Sequence, residues 1–219
     1  MSLAALRHRL IVSCQPVPGG PLDSSPMVVG MALAALDGGA AGLRIESVEY
    51  VRAVRAAAAV PVIGLIKRDL AASPVRITPF FEDVEVLAGA GADIIAFDAT
   101  MRERPVVVRS LVAAAHSCGK LAMADCACED DASAALEAGA DIVGTTLSGY
   151  TGGPEPDEPD FDLVAALRRL TPNVIAEGRI RTPDQAAAAL AQGAFAVVVG
   201  SAITRPEHVT SWFVEAMAS

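Results

Sequence analysis

Short apolar runs rich in β-branched residues alternate along this chain with alanine-rich stretches of helical length. A continuous apolar run bounded by turn residues is what a strand needs when both faces are buried, as in a parallel sheet. The first run is Leu10–Cys14, followed by a Pro/Gly loop and a helix over about Pro26–Asp37. Gly42–Ile45 comes next, with a helix from Ser47 to Ala58 that Ser47 is placed to cap. Val62–Ile66 leads through a loop past Pro79 to a helix over Glu82–Ala90. Asp93–Phe97 precedes a helix over Pro105–Ser117, where Pro105 suits the first helical position. Lys120–Ala124 pairs with a helix over Asp130–Ala138. Asp141–Gly144 is followed by a Gly/Pro/acidic loop, Ser148–Asp160, and a helix reaching Leu170. Asn173–Ala176 precedes a helix from Pro183 to Gln192, and Ala194–Val199 runs into Gly200-Ser201 and a closing helix from Pro206.

Four of these helices end in a Gly-Ala step (Gly39-Ala40, Gly91-Ala92, Gly139-Ala140 and Gly193-Ala194), and glycine is the expected C-terminal stop. The segment from Ala90 to Ile95 is echoed from Ala138 to Val143. Eight strand–helix units in a chain of this size predict an α/β fold, a (β/α)8 TIM barrel, with residues 1–219 forming a single catalytic domain. An open doubly wound sheet is the competing topology, but the Gly-x-Gly-x-x-Gly expected after its first strand is missing.

Composition narrows the picture. Hydrophobic residues make up 53% of the chain and aromatics 4%, so the core is aliphatic. A net charge of −9 argues against nucleic acid and against an anionic membrane surface, yet leaves room for a small anion held by local donors. Cys14, Cys118, Cys126 and Cys128 lack the spacing of a disulfide framework. Cys126 and Cys128 suggest metal binding only faintly, because His8, His116 and His208 supply no matching pattern; no metal is expected. Arg7, His8 and Arg9 interrupt what would otherwise resemble a lipoprotein leader ending at Cys14, and a cytoplasmic location is expected.

In such a barrel the site lies at the carboxyl ends of the strands. Those positions hold Gln15, Arg44, Lys67, Asp98, Asp125, Thr145-Thr146, Glu177-Gly178-Arg179 and Gly200-Ser201. Fifteen of the seventeen basic residues are arginine, yet a lysine follows the third strand. Burial can bring a lysine into the working pH range and cannot do so for arginine, so Lys67 is a candidate base; the alternative is a solvated loop cation. Glu177 is a candidate acid or base, or the ion-pair partner of Arg179 or Lys67. Gly178 and Gly200-Ser201, after the seventh and eighth strands, are placed to let backbone N–H groups approach a phosphate, or are simply tight turns. Arg205 is near enough along the chain to assist. Asp125 is a substrate ligand or a helix cap, and Arg44 a substrate ligand or the partner of Glu46. Glu155–Asp160 reads as a solvated loop.

Several of these motifs resemble the N-acetylmannosamine-6-phosphate 2-epimerase family. They are Ser13-Cys14-Gln15-Pro16, Gly64-Leu65-Ile66-Lys67, the run from Ala92 to Asp98, Gly144 to Thr151, Ile175 to Ile180 and Val199 to Pro206. The resemblance implies interconversion of N-acetylmannosamine 6-phosphate and N-acetylglucosamine 6-phosphate, a step in sialic acid or aminosugar breakdown, without a cofactor. It implies Lys67 and Glu177 as catalytic residues and Gln15, Arg44 and Asp125 as sugar contacts, with Thr146 joining the substrate-binding set. It places Arg205 on the phosphate, beside Gly178, Arg179, Gly200 and Ser201. After Arg44 the family leads one to expect small or amide residues, and Ile45-Glu46 stands there instead. The expected partner is a small sugar phosphate, with no nucleic acid and no membrane; a homodimer is left open. A Schiff-base aldolase and a non-catalytic sugar-phosphate sensor are the rival readings.

Overall fold

The computed structural model describes residues 3–152 and 154–218. Residues 1, 2 and 219 of the expected domain, and residue 153 of the expected 148–160 loop, lie outside the described residues. Eight strands alternate with helices: β1 (Leu10–Cys14), α1 (Ser25–Asp37), β2 (Gly42–Glu46), α2 (Val48–Ala57), β3 (Val62–Leu65) and α3 (Phe81–Ala90). Then come β4 (Ile94–Asp98), α4 (Val108–Ser117), β5 (Leu121–Asp125), α5 (Glu129–Glu137), β6 (Ile142–Gly144) and α6 (Phe161–Leu170). The chain ends with β7 (Val174–Ala176), α7 (Pro183–Ala191), β8 (Ala196–Val199), α8 (Ser201–Thr204) and α9 (Pro206–Ala218). The strands pair in chain order, all parallel, and β8 closes on β1 through Leu10↔Val197, Ile11↔Val198 and Val12↔Val199. This is a (β/α)8 barrel. Among the described residues no helix is long and apolar enough to cross a membrane.

The two-residue period of a strand divides the core in two. On β4, Ile94 and Ala96 point into the barrel with Ile11, Ile63, Met123 and Ile175, while Ile95 and Phe97 point outward to the helices. A short 3-10 turn over Leu3–Leu6, not foreseen from the sequence, sends buried Leu6 into the interior cluster. All four Gly-Ala stops take a left-handed glycine, with φ between 97° and 101°, as a helix C-terminus requires. Ser47 caps α2 as expected, its Oγ accepting the Tyr50 N–H at 3.2 Å.

The internal echo has a structural cause. Asp93 Oδ2 accepts the N–H of Val62 at 3.0 Å, and Asp141 Oδ2 accepts that of Ala122 at 2.8 Å. Each aspartate ties its own strand to the preceding one before the ladder begins. β4 and β6 begin at the residue after each aspartate, one later than the sequence predicts.

Two expectations fail locally. Pro105 does not open α4, which begins at Val108. Arg104 donates to Val106 O at 2.8 Å, Thr100 O at 3.1 Å and Asp98 O at 2.6 Å, and these bonds hold the approach segment in a non-helical path. The stretch after β3 is more than a loop. It doubles back so that Lys67 pairs antiparallel with Ile77, and Thr78 Oγ1 donates to Ala96 O at 2.6 Å.

Candidate active site

A cavity of about 440 Å³ opens at the carboxyl ends of the strands. Gln15, Lys67, Thr146, Glu177, Gly178, Arg179, Gly200, Ser201 and Arg205 all line it. Nine of the thirteen residues singled out from sequence therefore share one chamber. Arg44 and Asp125 do not line it; they lie beneath its floor, 1% and 0% exposed.

Lys67 Nζ donates to Gln15 Oε1 at 2.6 Å and pairs with Glu46 Oε2 at 3.0 Å. Gln15 is itself fixed, donating from Nε2 to Ser13 Oγ at 2.8 Å. Because Lys67 follows a strand pinned by the returning 76–78 segment, its stem leaves the barrel at a defined angle.

Opposite Lys67, Glu177 stands over a buried cluster of charge. Arg44 donates to Asp125 through Nη2 at 2.7 Å and Nη1 at 3.3 Å, and its Nε lies 3.3 Å from Glu177 Oε1. Thr146 Oγ1 bridges the carboxylates from the other side, 2.7 Å from Asp125 and 3.2 Å from Glu177. Burial works against the charge on Arg44, but Asp125 and Glu177 more than offset this and hold the guanidinium charged. Glu177 has the reverse balance. Burial pushes its carboxyl above the ordinary range, Arg44 pulls it back, and the like charge of Asp125 raises it again. Gly144 makes the cluster possible: a Cβ there would stand 2.8 Å from Met123 Cε and 3.2 Å from Thr146 Oγ1.

The far end of the cavity gathers two glycine turns and an arginine. Gly178 has φ +115°, which a side chain rarely tolerates, and Arg179 follows at φ +56°. Gly200 and Ser201 face them at the start of α8, where the Ile203 and Thr204 N–H groups donate to Gly200 O at 2.9 and 3.0 Å. Arg205 donates from Nε to Gln15 O at 2.7 Å while lining the cavity. The Arg179 side chain is committed elsewhere. It donates to Ser148 O at 2.5 Å and Glu158 O at 2.8 Å and lies over the Tyr150 ring, so it clamps the 148–158 loop.

Asp98 does not line the cavity and organises its own loop, accepting from Thr100 N at 2.9 Å and Arg102 Nη2 at 2.6 Å. Sequence reading missed Glu46 as the partner of Lys67, and missed His208 and Trp212 of α9 at the cavity rim. The sole tryptophan, directly after the eighth unit, was the available signal. Arg181 lies over its ring, 5.1 Å from the centroid.

Comparison with known proteins agrees in sequence and in shape. The family described as "Putative N-acetylmannosamine-6-phosphate epimerase" matches residues 28–219. A Photobacterium profundum protein named as a putative N-acetylmannosamine-6-phosphate 2-epimerase is 56% identical over 212 residues, covering 97% of this chain and 90% of its own. One of the same name from Klebsiella pneumoniae is 59% identical over 210 residues, covering 95% and 90%. The solved N-acetylmannosamine-6-phosphate 2-epimerase from Clostridium perfringens superposes with a TM-score of 0.94 at 40% identity, covering 97% of this chain and 94% of that one.

Proposed function

Because the chain belongs to the N-acetylmannosamine-6-phosphate epimerase family, we propose that it is a carbohydrate isomerase that inverts C2 of N-acetylmannosamine 6-phosphate, giving N-acetylglucosamine 6-phosphate. One observation carries the chemistry. Lys67 and Glu177, from β3 and β7 on opposite sides of the ring, face a single cavity that ends in Gly178, Gly200, Ser201 and Arg205.

A C2 proton is acidic only beside a carbonyl, so the sugar first opens to its aldehyde. Glu177, whose carboxyl burial raises above the ordinary carboxylate range, assists this opening as an acid. Lys67 then takes the C2 proton and returns one to the opposite face after the intermediate rotates. The glycine turns and Arg205 hold the phosphate, and fixing the reacting carbon in this way supplies a large share of the rate. Arg44 and Asp125 act through Glu177 and Thr146 from beneath the floor. No cofactor enters the scheme.

Proton NMR of both hexosamine 6-phosphates in heavy water tests this reading. The wild-type protein interconverts them and places deuterium at C2, whereas Lys67→Ala does neither. Normal deuterium uptake by Lys67→Ala would remove the lysine from the mechanism. Borohydride added with substrate leaves the activity intact; inactivation by it would favour an imine-forming aldolase instead.

A further inference from the structure

The Lys67–Glu46 ion pair lies between two spaces. On one side is the catalytic cavity. On the other is a recess of about 290 Å³ lined by Pro16, Asp23, Glu46, Ser47, Glu49 and Tyr50, among others. Glu46 lines the recess but not the cavity, and its carboxylate reaches through to Lys67 Nζ at 3.0 Å. Both side chains are partly exposed, 29% for Lys67 and 27% for Glu46, so the pair is wetted without being free in solvent.

The neighbouring acids of the recess are already engaged. Asp23 accepts the Gly19 N–H at 2.7 Å and the Tyr50 hydroxyl at 2.8 Å, and Glu49 accepts the Ser25 hydroxyl. Hydrogen bonding to Asp23 pushes the Tyr50 phenol up to about 12, so it stays a donor. Glu46 turns toward the lysine instead. Its successor Ser47 is held at φ +74°, a conformation of appreciable strain for a non-glycine residue, where β2 breaks into α2.

A base that removes and returns a proton needs an outlet if that proton is to exchange with solvent. A sugar phosphate filling the cavity covers Lys67 on that side. We propose that Glu46 is the outlet: a positioning residue that carries the Lys67 proton to and from water in the recess while substrate is bound. The steps balance. An Nζ–H bond breaks and its proton forms an O–H bond on Glu46 Oε2, leaving the nitrogen lone pair free. That pair takes the C2 hydrogen, and the electrons of the C2–H bond remain on the substrate as the enolate. Glu46 releases its proton to recess water and becomes a carboxylate again, ready to accept the next. A solvent proton returns by the reverse path to the other face of C2. Glu46 never touches the sugar. Its neighbour Ile45 is buried and packs toward the helices.

This inference rests on the epimerase reading and fails separately from it. The probe is N-acetylmannosamine 6-phosphate deuterated at C2, turned over in ordinary water, with the deuterium retained in the product measured by mass spectrometry. The wild-type protein loses most of the label. Glu46→Gln retains severalfold more of it per turnover while turnover falls roughly ten- to a hundredfold. Glu46→Asp restores the loss in part. Glu46→Ala retains label until formate is added, which lowers retention in proportion to its concentration. Glu49→Gln, a change in the same recess, retains no more than wild type. Equal retention in wild type and Glu46→Gln, or a Glu46→Ala protein indifferent to formate, overturns the outlet. A wild-type protein that neither epimerises nor exchanges C2 overturns the functional reading itself.

Discussion

At Glu177 two carboxylates compete for one arginine. The cluster of Arg44, Asp125 and Glu177 carries one more negative charge than positive when fully ionised, and it is largely buried. The native state therefore favours a protonated Glu177 more than the unfolded chain does. With the folded carboxyl raised, the native protein binds more protons through the window above the ordinary carboxylate range, and stability declines as pH rises through it. Glu177→Gln removes that penalty. Its melting temperature should exceed that of wild type at neutral pH, with the gap closing on acidification, while epimerisation is lost. Gly178 makes a second residue-scale test. Alanine there meets no crowding, its Cβ lying 3.7 Å from Thr145 O, but it must adopt φ +115°. Strain of about 1–3 kcal/mol should lower the melting temperature of Gly178→Ala, and the displaced turn should raise KM for the phosphorylated sugar.

Among the elements, the regular parts were readable and the polar clamps were not. Every strand and the helices between them appear in the hydrophobic pattern, because buried parallel strands must be continuously apolar. The late start of α4 depended on three carbonyls gathered by Arg104, a contact that no periodicity encodes. The 148–160 loop is similar. Its acidic composition suggested a solvated segment, yet Arg179 fastens it at two carbonyls and Asp160 Oδ2 accepts from Ser148 Oγ at 2.6 Å. Arg179→Ala should free this loop. Limited proteolysis between 150 and 158 should accelerate, and KM should rise more than kcat falls.

For the whole molecule, the site was readable to the extent that barrel topology alone converts strand ends into neighbours. Lys67, Glu177 and the two glycine turns follow from that rule. The Glu46–Lys67 pair does not, since it depends on the β2–β3 register, Glu46 opposite Leu65, and on the return of 76–78. Arg44 and Asp125 were found, but their depth beneath the floor is set by packing inside the ring. Ring closure also joins the most distant parts of the site. Arg205 donates from Nε to Gln15 O, and its planar fork sets the Nη groups at a fixed offset from that bond, a geometry that a lysine ammonium does not reproduce. Arg205→Lys should therefore raise KM for the sugar phosphate despite its unchanged charge, as steady-state kinetics would record.

That seam has a consequence for how the enzyme comes into being. Thr204 Oγ1 reaches back to Ser13 O at 2.7 Å, so Ser13, once made, waits for a partner 191 residues further along the chain. A nascent polypeptide therefore carries Lys67 well before the residues that close the ring beside Gln15. Half-made copies should then fail to hold the sugar phosphate, which a chain truncated before Thr204 would test by calorimetry.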